Sequence, residues 1–419
     1  MAAQVDLIDI PYGQGRFTLG REKNIQELNI GVPKSVVNDP IGQALASPIG
    51  CPRLKELVYP GQTVAIVTSD ITRPCPTHLM LPSLLTELKE GGITDEGLTI
   101  VFAMGIHRHH TLQEQIRLVG EDIWRRVRCL DSDLEQVIPV GTTSRGTPIE
   151  VFEPVVEADL RIAIGNVEPH YYAGYSGGAK ALVPGVCSSK TVDHNHAHMV
   201  EPGARIGQME SNPVREDIEE GGAMIGLDFI LNVILDDQRQ IVDAVAGHPL
   251  EAHRRAAQIV EDLRGVNVSD LADIVIVSPG GYPKDINLYQ SHKALHTAAV
   301  MVRQGGTIIW VAECADGFGQ ETFEDWLTGS DPEVILDHIR QKFVMGGHVA
   351  ASVTRIKQHA GIFLVSGLSP EVVRQCGMRP FRDLDTALQS AKHELQEEPK
   401  ITVLPQGSAV VPIVTGIST

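Results

Sequence analysis

Two histidines stand where a proton carrier would be useful. His170 lies in residues 160–199, LRIAIGNVEPHYYAGYSGGAKALVPGVCSSKTVDHNHAHM, and His107 lies in GIHRHHT. An imidazole of ordinary pKa takes and returns a proton near neutrality, so the two read as a general acid/base pair. A lone loop histidine is more often structural, whereas two in matching surroundings favour function. Lys180, in GYSGGAK, is a candidate for a covalent cofactor link, with a plain solvated cation as the simpler alternative. Neither common nucleotide pattern fits that loop. A P-loop needs glycine immediately before the lysine and Ser or Thr after it, but Lys180 stands between Ala179 and Ala181. A dinucleotide fingerprint needs its glycines directly after a strand, and here His170 and a tyrosine pair intervene. Gly174, Gly177 and Gly178 still let the backbone approach a ligand, and a helix starting after them would offer free N–H groups to an anion.

His194, His196 and His198 alternate in DHNHAHM. Side chains two apart diverge on a helix, so all three reach one metal only from an extended segment. One imidazole on a borderline metal such as nickel or zinc, with ligands from elsewhere, competes with a polar helix start capped by Asp193. Both readings stay open.

Buried strands explain how these groups could meet. The apolar runs at 160–164, 63–68 (TVAIVT) and 98–104 are bounded by turn residues and read as parallel strands. Pro169 forbids an immediate helix after the first, which leaves His170 on a loop. Asp70, Thr72 and Arg73 follow the second run in SDITRPCP; His107, Arg108, His109 and His110 follow the third. His109 and His110 have no second support and read as exposed. Three strand tips carrying Asp/Arg, His and His/Lys point to one cleft at the carboxyl edge of a parallel sheet.

At 419 residues the chain exceeds one ordinary core, so two domains are expected. A helix at 77–89, a hairpin at 229–248 and a helix at 250–263 complete the first part, with a boundary near 268. Beyond it the α/β alternation starts again: strands at 273–277, 307–312 and 361–365, helices at 286–303, 323–327, 332–343 and 384–396. The predicted fold is α/β with two domains, each a mainly parallel Rossmann-like sheet flanked by helices, and the active site in the interdomain cleft. The last strand, 401–404, follows a Pro/Glu-rich break and is assigned back to the first domain, giving domains 1–268 plus 398–419 and 269–397. On the 286–303 helix, Tyr289 and Lys293 are four apart and Gln290 and Lys293 three apart, so all line one face. With Arg73 they can hold a carboxylate, arginine as a bidentate fork and lysine as a point charge; a solvated helix face is the alternative.

Composition narrows the class. Hydrophobic residues make up 42% and charged residues 21%, ordinary for a soluble enzyme. A formal charge of -18 argues against a nucleic-acid surface. No stretch reaches the ~18 apolar residues of a membrane span, and the first residues do not read as a leader, so no membrane partner is expected. The six cysteines, at 51, 75, 129, 187, 314 and 376, form no CxxC pair, which suits a reducing cytoplasm. Monomer and homo-oligomer are not distinguished.

Together DITRP (70–74), GIHR (105–108), PHYYAGYSGGAKALVPG (169–185), NH (195–196) and YQSHK (289–293) resemble the nickel-pincer lactate racemase family of 2-hydroxyacid racemases and epimerases. The central motif is highly specific; the short ones would be weak alone. The resemblance implies a nickel-pincer nucleotide, pyridinium-3-thioamide-5-thiocarboxylic acid mononucleotide, with Lys180 forming the thioamide link and His196 as a nickel ligand. It implies His107 and His170 as bases on opposite faces of a small 2-hydroxyacid. Tyr175, Ser176, Gly177 and Gly178 are assigned with Lys180 to the cofactor. Arg73, Tyr289, Gln290 and Lys293 fall near the substrate carboxylate, with Asp70 as the acidic neighbour that positions them, grouped with the cofactor set. Enzymes that make the cofactor are implied as transient partners.

One departure bears on the substrate. Lactate-specific members have a tryptophan in the helix before the last second-domain strand, where this chain reads VMGGHVAAS (344–352) with Gly347 and His348. The change is expected to open a different pocket wall and to favour malate-like, aromatic or sugar acids over lactate, with His348 on the substrate side. Against the racemase stand a non-catalytic carrier of the cofactor, which would not need both histidines, and a conventional nucleotide-dependent enzyme, which the failed loop patterns disfavour.

Overall fold

The computed structural model describes residues 6–29, 37–395 and 398–414. The chain divides into two compact units, Pro33–Ala204 with Gln208–Asp262, and Met1–Val32 with Arg205–Gly207 and Leu263–Thr419.

In the first unit a six-stranded sheet runs in the order Ile241–Gly247, Phe229–Leu235, Leu160–Asn166, Val64–Ser69, Leu98–Ala103, Arg128–Asp131. Every neighbour pair is parallel except the predicted hairpin, where Ile241–Gly247 pairs antiparallel with Phe229–Leu235. Phe229–Leu235 is buried at every position, as a strand covered on both faces must be. The Thr77–Glu90 helix turns Met80, Leu81, Leu84, Leu85 and Leu88 into the core beneath the sheet, the stripe its 3.6-residue period dictates. The order sets the three predicted strands side by side, so their carboxyl ends share one edge.

The second unit carries its own six-stranded sheet, Arg379–Phe381, Gly361–Val365, Val302–Val311, Ala272–Val277, Ile401–Leu404, Ile25–Glu27, parallel throughout. Two expectations about domain limits differ here. Ile401–Leu404 does not return to the first domain; it lies between Ala272–Val277 and Ile25–Glu27. All four of its residues are buried, a run that needs strands on either side. The Leu384–His393 helix supplies the crossover that brings the chain back into the same sheet. The opening strands also belong to this unit rather than to the first.

Candidate active site

The first two strand tips meet through a carboxylate. Asp70, 2% exposed, accepts from His107 Nδ1 at 2.6 Å and from the Thr72 hydroxyl at 2.8 Å. Burial opposes its ionisation, but the hydrogen bonds from His107 and Thr72 hold its pKa below the usual carboxylate value. An ionised carboxylate only accepts, so neutral His107 keeps its hydrogen on Nδ1 and its lone pair on Nε2, the form of a general base. His107 stays partly open, with 31% of its side chain exposed.

His110 does not sit in solvent as its sequence context suggested. Its side chain is 1% exposed; Nδ1 donates to Asp131 Oδ1 at 2.7 Å and Nε2 accepts the Ile71 N–H at 3.0 Å. It therefore holds the DITRP loop over its strand tip, while His109 is exposed as expected. The third tip is tied in by the backbone, with Gly105 N–H donating to Gly185 O at 3.0 Å.

Tyr172 is the hub of the third tip. The His170 ring meets it edge-on at 4.5 Å and stacks on Tyr171 at 5.4 Å. The Tyr172 hydroxyl lies 2.8 Å from His196 Nε2, and Lys180 Nζ is 5.4 Å from the centre of the Tyr172 ring. Burial, reinforced by Lys180, Arg73 and Arg215, pushes His170 well below the ordinary histidine pKa, so it is neutral at physiological pH. Burial, with Arg215 and Arg73, likewise lowers Lys180 well below an ordinary lysine. Among the described residues Lys180 makes no ion pair. A lowered basicity makes the free electron pair that covalent attachment requires easier to reach.

The helix Pro213–Ile225 shapes this loop from below. Its N-cap Asn212 donates Nδ2–H to Tyr172 O at 2.9 Å, and Arg215 donates from Nε to Ala173 O at 3.1 Å and from Nη2 to Tyr175 O. Arg215 is fully buried, and its Nη1 has no hydrogen-bond partner among the described residues. Gly174 needs its hydrogen-only side: φ is +74°, and a Cβ there would come within 2.1 Å of Gln208 O.

The anion-binding helix expected after the glycines does not form. Gly178–Ala181 is a single 3₁₀ turn, and the Gly178 N–H already donates to Asn232 Oδ1 at 2.8 Å. Tyr175 donates its hydroxyl to Glu261 at 3.0 Å, and Ser176 Oγ donates to Asn166 O at 3.0 Å. The polar groups of Tyr175, Ser176 and Gly178 thus hold the loop in shape.

The histidine run is helical, Ser189–Ala197, capped by Ser188, whose hydroxyl accepts from Thr191 N–H. Asp193 is inside this helix and is not its cap. The three imidazoles accordingly part: His194 is exposed and donates to Lys190 O, His198 pairs with Glu201, and only His196 turns inward, 8% exposed. Among the described residues no three His, Cys, Asp or Glu side chains gather as a metal centre. A group that brings its own donors and takes one imidazole suits His196.

In the other unit, Tyr289, Gln290 and Lys293 lie on the helix Leu288–Met301, with Gln290 and Lys293 exposed and Tyr289 partly buried. His348, in the helix Gly347–His359, is 8% exposed beside Phe343 at 4.8 Å and Tyr289 at 6.5 Å. Burial takes its pKa down to about 4. Gly347 does not open the wall as expected: the Trp326 indole covers it, 2.5 Å from where a Cβ would stand.

Residues 12–207 match the lactate racemase N-terminal domain and residues 268–412 the lactate racemase C-terminal domain. The lactate racemase of Thermoanaerobacterium thermosaccharolyticum is 36% identical over 421 residues, covering 96% of this chain and 98% of that protein. This chain belongs to the lactate racemase family. The lactate racemase of Lactiplantibacillus plantarum is 32% identical, over 96% and 99% of the two chains. The lactate racemase apoprotein structure from T. thermosaccharolyticum superposes with a TM-score of 0.83 at 34% identity, covering 97% of this chain and all of that one. A Thermotoga maritima protein, 19% identical with a TM-score of 0.60, shares the fold. The family model places 398–412 with the C-terminal domain, in line with the position of Ile401–Leu404.

Proposed function

We propose that this protein racemises or epimerises a 2-hydroxyacid at its α-carbon, using a nickel-pincer nucleotide linked to Lys180. Membership of the lactate racemase family supports a racemase and thus an isomerase. The observation that carries the finer reading is the joining of the three strand tips in one unit. The edge carries His107 on Asp70 and, around Tyr172, His170, His196 and a lysine with no ion pair among the described residues, which supports the reading. The residues fit the group: Lys180 has the depressed basicity an attached amine needs, and His196 offers one ring nitrogen as a ligand. When bound, the nucleotide supplies an acceptor for the substrate's α-hydride and returns it.

The chain's own side chains supply the rest. His107, with Asp70 on Nδ1, takes the hydroxyl proton of one enantiomer at Nε2. His170, kept neutral by burial and nearby cations, does the same for the other. The histidine on the opposite face starts the turnover protonated and gives its own proton to the carbonyl oxygen of the planar 2-keto acid as the hydride comes back on that face. The centre thus inverts and the two histidines exchange protonation states. Arg73 is assigned to the substrate carboxylate, as are Tyr289, Gln290 and Lys293 from their shared helix face, with His348 flanking Tyr289. Tyr175, Ser176, Gly177 and Gly178 are assigned to holding the loop against the nucleotide. The reading implies a cytoplasmic protein visited by cofactor-making enzymes. Relatives are named for lactate; with His348 and Trp326 on this wall, malate, phenyllactate and gluconate belong in the same assay.

Intact mass of protein produced together with the cofactor-making enzymes tests the proposal. A nickel-containing adduct on Lys180, absent from Lys180→Ala, with racemisation of a 2-hydroxyacid only by the adduct-bearing form, is expected. An unmodified, metal-free protein with full activity would refute it.

A further inference from the structure

His196 is backed by a buried polar chain whose polarity can be read atom by atom. Asp217, fully buried on the helix Pro213–Ile225, accepts from the Thr143 hydroxyl at 2.5 Å through Oδ1 and from Asn195 Nδ2 at 2.8 Å through Oδ2. Asn195, also fully buried, gives its second amide hydrogen to Val214 O at 3.4 Å. Both acceptors lie on the nitrogen side of the amide, so its orientation is fixed: Asn195 Oδ1 faces His196 Nδ1, 3.3 Å away. An amide oxygen only accepts. His196 must therefore carry its hydrogen on Nδ1, which leaves the lone pair on Nε2, the nitrogen that meets the Tyr172 hydroxyl.

We propose that Asp217 and Asn195 are positioning residues that fix His196 in the Nδ1–H tautomer, so that Nε2 is delivered as an electron-pair donor. Asp217 serves a neighbour's neighbour: its hydrogen bonds go to Thr143 and Asn195, and it acts by turning the Asn195 amide. A carboxylate buried in this way is costly unless its donors are good ones. The two short donors satisfy it while imposing a direction on the chain. Metal-ligating imidazoles are tuned in this manner by the partner of their other nitrogen. The role in metal binding rests on the reading of His196 as a ligand, whereas the tautomer itself does not.

The test uses the apoprotein with ¹⁵N-labelled histidine. Proton-detected ¹⁵N spectra assign His196 by its loss in His196→Ala. In the unsubstituted protein His196 is expected as the Nδ1–H form alone. Asn195→Leu removes the acceptor, and Asp217→Leu frees the Asn195 amide to turn; each is expected to raise the Nε2–H form from undetectable to a major share. Asp217→Asn is expected to keep the original tautomer, since its oxygen can still face Asn195 while the Thr143 hydroxyl accepts its amide hydrogen. Circular dichroism checks that each variant is folded; should Asp217→Leu not fold, Asn195→Leu and Asn195→Asp, which restores an acceptor, decide the matter. An unchanged His196 tautomer in folded Asn195→Leu would overturn the proposal. Nickel retained by the loaded protein provides the separate arm: a loss of about tenfold or more in Asn195→Leu is expected. Full nickel retention in His196→Ala would sink the ligand reading and leave the tautomer result standing.

Discussion

His107 and His170 follow strands on either side of Val64–Ser69 and have opposite surroundings. His107 has a buried carboxylate on one nitrogen and is partly open. His170 is packed between tyrosines with Lys180, Arg73 and Arg215 acting on it, and with the Ala173 N–H at 3.4 Å from its Nδ1. Carboxylate support stabilises an imidazolium once it forms; surrounding cations discourage one. The two proposed bases are thus held by different means, one by a partner for its proton and the other by exclusion of charge. Such a pair suits an enzyme that starts from either enantiomer, because one histidine can hold a proton while the other lacks it.

Removing either histidine breaks the pair and has the largest expected effect. His107→Asn and His170→Asn should each lower kcat/KM for racemisation by about 10²- to 10⁴-fold in both directions, read by chiral chromatography. Asp70→Asn makes the His107 side resemble the His170 side by removing its carboxylate. A fall in kcat of about 10²-fold or more with little change in KM is expected; unchanged kinetics would show that the carboxylate is incidental. Arg215→Met removes a cation from the His170 side together with the hydrogen bonds to Ala173 O and Tyr175 O. It should cost about 2–3 kcal/mol in denaturant unfolding, with Arg215→Lys recovering part.

Acid stability sharpens the contrast further. His170 is pushed down, as are His253 and His292, each to about 3, and His348, to about 4. A histidine whose folded pKa is depressed binds fewer protons folded than unfolded, so stability is lost as pH falls below about 6.5, the unfolded value. A group with a folded value near 3 contributes about 2 kcal/mol of that loss by pH 5. His170→Asn should therefore flatten the fall in stability between pH 6.5 and 5, measured by urea melts. The smallest effect is expected from His348→Ala, which leaves both bases alone. It should change the ranking of lactate, malate, phenyllactate and gluconate by several-fold while cofactor loading stays constant, and an unaltered ranking would remove His348 from the substrate side.

The strands, the hairpin and the shared edge were legible because each rests on an apolar run closed by turn residues. The positions of His107 and His170 just beyond strand ends were legible for the same reason, since residue type and a strand tip are both visible in one dimension. His110 was misread because its partners, Asp131 at the end of Arg128–Asp131 and the Ile71 N–H, lie on other segments of the chain. Arg215 and Asp217 left no signal, as nothing local marks a charged residue as fully buried. Gly347 showed the limit of reading a missing side chain, because Trp326 fills the space from a different helix. The closing strand was misplaced since a short apolar run does not say which sheet it joins.

Single-turnover formation of the 2-keto acid from each pure enantiomer tests the central claim most directly. With cofactor-loaded protein, the account predicts that His107→Asn loses oxidation of one enantiomer and keeps the other, and that His170→Asn shows the reverse. Equal loss of both enantiomers in each variant, or no loss in either, would contradict the assignment of one histidine to each face.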